Sequence, residues 1–242
     1  MMKDNETENA LVYRLAGVNA QITGIDQECY SFLSAYSAFG QADLTIGITP
    51  SDLALERAHA DRPDYSDAYL ESLVVYRKIA EQMPHYDTFL FHGSAIAVDG
   101  VAYIFTAKSG TGKSTHTRLW RKLLGDRAVM VNDDKPLIKV HKDGTATVYG
   151  TPWDGKHHLS SNIAVPVRAI CILERAPDNH IRKITKAEAL PILIQQTYRP
   201  ADPTALAETL ILLDRLNVNL YLMGCNIDIS AAEMSYQTLK EE

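Results

Sequence analysis

Apolar and polar positions alternate along this chain in two rhythms, one close to two residues and one close to four, and the switches between them mark its elements. Strand-like pieces lie within Val12 to Ile22 and from Asp43 to Ile48, with a short helix predicted from Cys29 to Tyr36 between them. Arg62-Pro63-Asp64 is a break, and a helix is predicted from Ser66 to Met83, which Pro84 helps to end. Thr88 to Thr106 reads as a hairpin. The apolar runs Ser94 to Val98 and Val101 to Phe105 are separated by Asp99-Gly100, and Asp-Gly suits a tight turn whose two central residues need positive φ. Lys113 to Leu124 contains no Gly or Pro and sets Leu119, Trp120, Leu123 and Leu124 at helical spacing. Arg127 to Val131 is a further strand, and a second hairpin turns at Asp143-Gly144 between Leu137 to Val140 and Ala146 to Tyr149. Val165 to Leu173 reads as a buried strand, Thr185 with Glu188 as a capping box opening a helix, and another helix follows Pro203. A strand from Val218 to Leu222 and a helix from Ser230 complete the pattern. The fold class is α/β, with a mixed, largely antiparallel sheet and flanking helices. A β-rich segment over 1–60 is expected to pack on a core over 61–242.

Composition narrows the class of partner. A chain of 242 residues can bury one substantial core. Its net charge of −6 supplies no global field that would draw it to nucleic acid or an anionic membrane, so any anion site must be local. Lys108, Lys113, Lys135 and Lys156 are the candidates. Cys29, Cys171 and Cys225 are odd in number and widely spaced, which suits a reducing compartment better than a disulfide framework. The start Met1 to Asn9 is polar and does not read as a signal peptide, and no apolar stretch reaches membrane-spanning length. The expected location is the cytoplasm.

The chemistry concentrates at Ala107-Lys108-Ser109-Gly110-Thr111-Gly112-Lys113-Ser114-Thr115, which follows a strand and opens a helix. A triphosphate is a dense negative charge that must be held without bulk. Gly110 and Gly112 let backbone N–H groups turn toward phosphate oxygens, Lys113 offers a positive charge to the β and γ oxygens, and Ser114 offers a hydroxyl to Mg²⁺. The helix start adds unpaired N–H groups and the positive end of its dipole. Ala107 stands where the full pattern carries Gly, so the flanking elements have to carry part of the assignment. Asn132-Asp133-Asp134 ends the strand after the loop helix, where a Mg²⁺-organising acid belongs.

Together, Phe91-His92-Gly93-Ser94, the Asp-Gly hairpin, the loop and the paired aspartates resemble the nucleotide-binding core of the HPr kinase/phosphorylase group, which shares its core with phosphoenolpyruvate carboxykinases. The resemblance covers roughly Asp87 to Arg175 and is nearest to the compact HPr-kinase-like proteins. It implies a P-loop kinase using ATP and Mg²⁺, with Asp133 as the base that takes the acceptor's proton, Asp134 with Ser114 on the metal, and His92 holding the base carboxylate. The related kinases are often oligomeric, so a homo-oligomer is compatible with it. The Glu-x-Arg-Gly-type signature of the HPr kinases is missing from the stretch Val148 to His158, which argues against HPr as the acceptor. A peptide or small protein bearing a Ser or Thr hydroxyl is the expected acceptor. Lys156, in a polar loop with Trp153, His157 and His158, and Arg168, inside an apolar strand, are the candidate substrate contacts, while Gln195 and Gln196 end a helix that can line the same cleft. A nucleotide-binding regulator without phosphotransfer is the alternative. Having His92 and both aspartates weighs against it, because binding alone needs no base.

Overall fold

The computed structural model describes residues 11–241, and the polar start Met1 to Asn9 lies outside them. The chain divides into two compact units, residues 1–79 and 80–242. In the first, β1 (Val12–Leu15), β2 (Val18–Thr23), β3 (Ser37–Ala38) and β4 (Leu44–Gly47) form a sheet in the order β3-β1-β2-β4. The β1–β2 hairpin turns at Ala16-Gly17, both at positive φ. Helix α1 (Gln27–Leu33) starts earlier than the pattern suggests because Asp26 caps it, accepting from the Cys29 N–H at 2.8 Å. A helix absent from the sequence reading, α2 (Pro50–His59), opens on a reciprocal capping box between Thr49 and Asp52, with Pro50 in its first turn. Helix α3 (Asp67–Gln82) follows, and its Arg77 makes a two-pronged ion pair with the buried Glu56 carboxylate at 2.6 and 2.9 Å.

The second unit is built on a sheet containing β5 (Thr88–Leu90), β6 (Ser94–Val98), β7 (Val101–Thr106), β8 (Ala128–Asn132), β9 (Leu137–Val140), β10 (Ala146–Tyr149), β11 (Ala164–Arg175), β12 (His180–Lys183) and β13 (Asn219–Cys225). Its path runs β5-β9-β10-β11-β7-β6-β8, with β13 joined to β11 and β12. The β6–β7 hairpin turns at Asp99 and Gly100, at φ 52° and 85°, as the Asp-Gly pair requires. That hairpin is shorter than the predicted Thr88 to Thr106, for β5 leaves it to pair with β9. The second hairpin also differs in detail: only Gly144 has positive φ, and the loop spans five residues closed by His141 and Thr145.

On its other edge β7 runs parallel to β11, and β11 runs parallel to β13. The sheet is thus mixed, with a parallel trio inside an otherwise antiparallel set. Its faces are covered by α4 (Lys113–Leu124), α5 (Lys186–Gln196), α6 (Pro203–Arg215) and α7 (Ile229–Lys240). Alternation along β7 assigns its side chains. Ala102 and Ile104 join a core with Leu193 of α5 and Leu212 of α6, while Tyr103 and Phe105 join another with Trp120 of α4 and Ala231 of α7. Burial on both faces is why this strand reads as a continuous apolar run. Cys171 is buried in the second core, as its apolar surroundings suggest. Among the described residues no helix is long and apolar enough to cross a membrane.

One polar joint locks α4 to α7. Ser235 Oγ accepts from Trp120 Nε1 at 2.8 Å, donates to the Ala232 carbonyl at 3.1 Å and lies 2.9 Å from His116 Nε2. With its proton committed to Ala232, the serine accepts from His116, which fixes the Nε2–H tautomer and leaves buried Nδ1 without a partner. Burial therefore pushes the His116 pKa down from 6.5 to about 4. The folded state keeps this imidazole neutral while the unfolded chain protonates it, so stability present above pH 6.5 should be lost as pH falls toward 4, by about 3 kcal/mol in all. Urea unfolding across that range should show a shallower decline for His116→Phe than for wild type, and equal slopes would contradict the assignment. Trp120→Ala should lower stability by about 3–5 kcal/mol, because the indole is fully enclosed against Tyr103, Phe105 and Tyr236. A loss below about 1 kcal/mol in the same assay would show that the joint does not hold the layer.

Candidate functional site

The parallel trio determines where the site lies. Carboxyl ends of adjacent parallel strands leave a crevice, and here the turn after β7 is the glycine loop. Gly110 and Gly112 take φ of 77° and 127°, conformations that L side chains avoid. Helix α4 starts at Lys113, directly after Gly112, and the first intrahelical bond runs from the His116 N–H to the Gly112 carbonyl at 2.9 Å. Lys113 is buried, and its Nζ donates to the Ala107 carbonyl at 3.2 Å, folding the side chain back beneath the loop. Burial holds this ammonium below the ordinary lysine range. Asp134 and Asp133 pull against that shift and Lys135 adds to it. Ser114 and Thr115 are half-buried in the first turn of α4, whereas Lys108, Ser109 and Gly110 are exposed.

Strand β8 ends at Asn132, and the next residues turn out of the sheet because Asn132 Oδ1 accepts from the N–H groups of Asp134 and Lys135 at 2.8 and 2.6 Å. Released from strand alternation, the two aspartates take different environments. Asp133 is buried, and its Oδ1 accepts from Ser94 Oγ at 2.6 Å. Ser94 in turn meets Thr117 Oγ1 at 2.9 Å, so two hydroxyls link Asp133 to the first turns of α4. Asp134 keeps a third of its side chain exposed. Its Oδ1 lies 3.3 Å from His92 Nε2 and 3.5 Å from Lys135 Nζ. Burial pushes the Asp134 pKa up, but the His92 hydrogen bond and the Lys135 and His92 charges outweigh it, and the carboxyl stays below its ordinary range.

His92 is held at both its backbone and its ring. Its N–H donates to the Gln196 carbonyl and its Nδ1 meets Gln196 Oε1, both at 2.7 Å, while its own carbonyl accepts from Thr106 at the end of β7. The ring is thus set between Gln196 at Nδ1 and Asp134 at Nε2. The sequence reading set His92 beside the base Asp133, and the structure seats it on Asp134 instead. Gln196, at the end of α5, thereby belongs to the site.

The loop from Gly150 to Ser161 borders the same place. A methyl group on Gly150 would stand 2.0 Å from the Ser161 carbonyl and 2.7 Å from that of Val131, so the main chain passes through a slot only glycine fits. Gly155, at φ 71°, packs against Asp134, and its neighbour Lys156 is exposed. Asp154 is buried and holds Ser160 Oγ at 2.9 Å and His158 Nδ1 at 3.3 Å. Trp153 is buried and so anchors the loop rather than facing a ligand.

Arg168 is not brought here. It is the extra residue of a bulge in β11, where pairing steps from Val167–Ala102 to Ala169–Tyr103, and it donates to the Lys240 carbonyl at the end of α7. The bulge explains how an arginine sits in an apolar run. Its counterpart is Arg175, at the end of β11 nearest the loop, whose guanidinium donates to the Gly110 and Thr111 carbonyls at 2.5 and 3.3 Å. No local motif marks Arg175, and only the parallel register of β11 with β7 brings it to the loop. Beyond it lies a cavity of about 500 Å³, with Gly110, Thr111 and Gly112 along one side and the ends of β11 and β13 along the other.

Among curated proteins none matches this chain. Among solved structures the chain is similar to the HPr(Ser) kinase/phosphatase from Coxiella burnetii, at 12% identity and a TM-score of 0.38, over 63% of this chain and 99% of that one. At that level the likeness says nothing about activity. The family described as SynChlorMet cassette protein ScmC matches residues 66–201, which take in the glycine loop, both aspartates, His92 and Gln196. That span is more than half of the sequence, and the chain belongs to the ScmC family.

Proposed function

We propose that the chain is a kinase that transfers the γ-phosphoryl group of ATP, with Mg²⁺, to the hydroxyl of a Ser or Thr in a peptide or small protein. The observation that carries this reading is a buried lysine under a glycine loop, beside two carboxylates in unlike environments, one of them paired with a fixed histidine. Binding alone calls for the loop and the lysine. The His92–Asp134 pair, whose histidine Gln196 holds at backbone and ring, is not required for binding a nucleotide and suits proton transfer.

The division of labour follows from exposure. Asp134 is the carboxylate that an acceptor hydroxyl can reach, so it takes the proton, and the buried Asp133 is left to the metal. This reverses the roles assigned from the sequence. Loop N–H groups and Lys113 hold the β and γ oxygens, and the acceptor oxygen attacks phosphorus as its proton passes to Asp134. The new O–P bond forms as the bond from the γ-phosphorus to the β,γ-bridging oxygen breaks, and ADP leaves. The Ser114 hydroxyl and the Asp133 carboxylate are hard oxygen donors that fit Mg²⁺, and Ser94 joins Asp133 to Thr117 on the helix that carries Ser114. When bound, the ion neutralises charge on the phosphates. Lys135 Nζ stands 3.5 Å from Asp134, and Lys156, exposed on the loop packed against that carboxylate, is a second cation offered to an incoming acceptor.

Transfer from γ-labelled ATP with Mg²⁺ in lysate of the source cells tests the reading. Wild type should label a discrete protein band. Asp134→Asn should lower the rate about 10²–10⁴-fold, and Lys113→Ala should abolish labelling while far-UV circular dichroism stays unchanged. Full activity of either variant would overturn these roles. A rise in melting temperature with ATP but no labelled product would point to the nucleotide-binding regulator instead.

A further inference from the structure

The cavity beyond the glycine loop is not used by phosphoryl transfer, and its walls differ from the rest of the site. Strands β7, β11 and β13 lie side by side and parallel, so their carboxyl ends open on one edge of the sheet. The first of these ends is the glycine loop itself. The other two supply Leu173 near the end of β11 with Ala176 and Pro177 just after it, and Cys225 at the end of β13 with Ile227 just after it. Apart from Arg175 and Asn226 these walls are apolar, and both of those side chains are already engaged. Arg175 braces the loop carbonyls. Asn226 donates from Nδ2 to the Pro177 carbonyl at 3.2 Å and accepts at Oδ1 from the Asp228 N–H at 3.0 Å, while its own N–H meets Asn179 Oδ1 at 2.9 Å. The two strand ends are therefore fastened together, and the cavity exists before any ligand arrives. Ile227 stands at its rim with 76% of its surface in water, open to contact with whatever enters.

A preformed crevice of about 500 Å³ at the ends of parallel strands has the size and lining of a small-molecule site. Its boundary with the glycine loop decides what fits. A ligand whose phosphates occupy the loop must continue into this space or into solvent. We propose that the cavity receives the purine base of the nucleotide, held by contact with Pro177, Cys225 and Ile227 and covered at its mouth by Ile227. The proposal rests on the nucleotide-binding reading above and adds where the base lies and which residues hold it.

Cys225 makes this measurable, because it lines the cavity while Cys29 and Cys171 are enclosed in the cores. N-ethylmaleimide labelling of the full chain, followed by peptide mass spectrometry, reads the Cys225 rate with Mg²⁺ alone, with Mg²⁺ and ATP, and with Mg²⁺ and inorganic tripolyphosphate. ATP should slow Cys225 labelling at least tenfold. Tripolyphosphate should leave the rate within twofold while raising the melting temperature through the loop. Equal protection by both ligands, or stabilisation by ATP without protection, would overturn the base site and leave nucleotide binding standing. If neither ligand raises the melting temperature, nucleotide binding fails and the base site falls with it. Ile227→Lys, at an exposed position that does not threaten folding, should raise the ATP Kd about tenfold and leave the tripolyphosphate Kd within twofold. An unchanged ATP Kd would remove Ile227 from the site.

Discussion

A strand covered on both faces and paired on both edges can present chemistry only at its end, and β7 is such a strand. Side chains of α4 and α7 enclose Tyr103 and Phe105, those of α5 and α6 enclose Ala102 and Ile104, and β6 and β11 take its edges. Its last residue, Thr106, is tied to His92, and the loop follows immediately. Every group in the candidate site is referred to that one fixed point. His92 precedes the partner strand β6, the aspartates leave β8 on the far side of β6, and Arg175 ends the strand running alongside. Rigid strands around one strand end are what allow short hydrogen bonds between residues far apart in sequence, such as Ser94 to Asp133 and His92 to Gln196.

Charge is arranged locally against the sign of the whole. The chain carries a net −6, yet Lys113, Lys135, Lys156 and Arg175 gather around the glycine loop and the loop that borders it. Burying an ammonium costs free energy unless it is paired, and in this structure Lys113 has a single carbonyl with two carboxylates nearby. A polyanion in the loop would complete its solvation, which is the energetic content of the proposed phosphate site. Asp133 and Asp134, adjacent in sequence, differ in exposure and partners, and the proposed division of their roles rests on that difference.

Much of this was legible in the sequence where one residue type answers one local constraint. Asp99-Gly100 fixed the hairpin because its turn needs two positive φ values, and Thr185 with Glu188 opened α5 because that cap is built from neighbours. Helix α2 escaped notice because its capping box uses Asp52 where the usual pattern has Glu or Gln. Strand β12, nearly all exposed, has no alternation to reveal it. What stayed hidden depended on partners distant in sequence. Thr88 to Leu90 looked like the start of a hairpin, but its pairing partner β9 lies beyond the loop helix and β8. Arg168 drew attention because it interrupts an apolar run, whereas Arg175, unremarkable at a strand end, is the residue the parallel register carries to the loop.

The slot at Gly150 closes the base of a loop whose exposed part is small. Because its backbone passes between two carbonyls with no room for a methyl group, the segment that borders Asp134 is pinched shut at its base, with Ser161 on the returning side. Within it Thr151, Trp153 and Asp154 are buried and Gly155 packs against Asp134, so freedom to change is confined to the exposed tip at Lys156, His157 and His158. On the kinase reading, a change of acceptor needs only those few tip positions to be rewritten, while the groups around Asp134 keep their places.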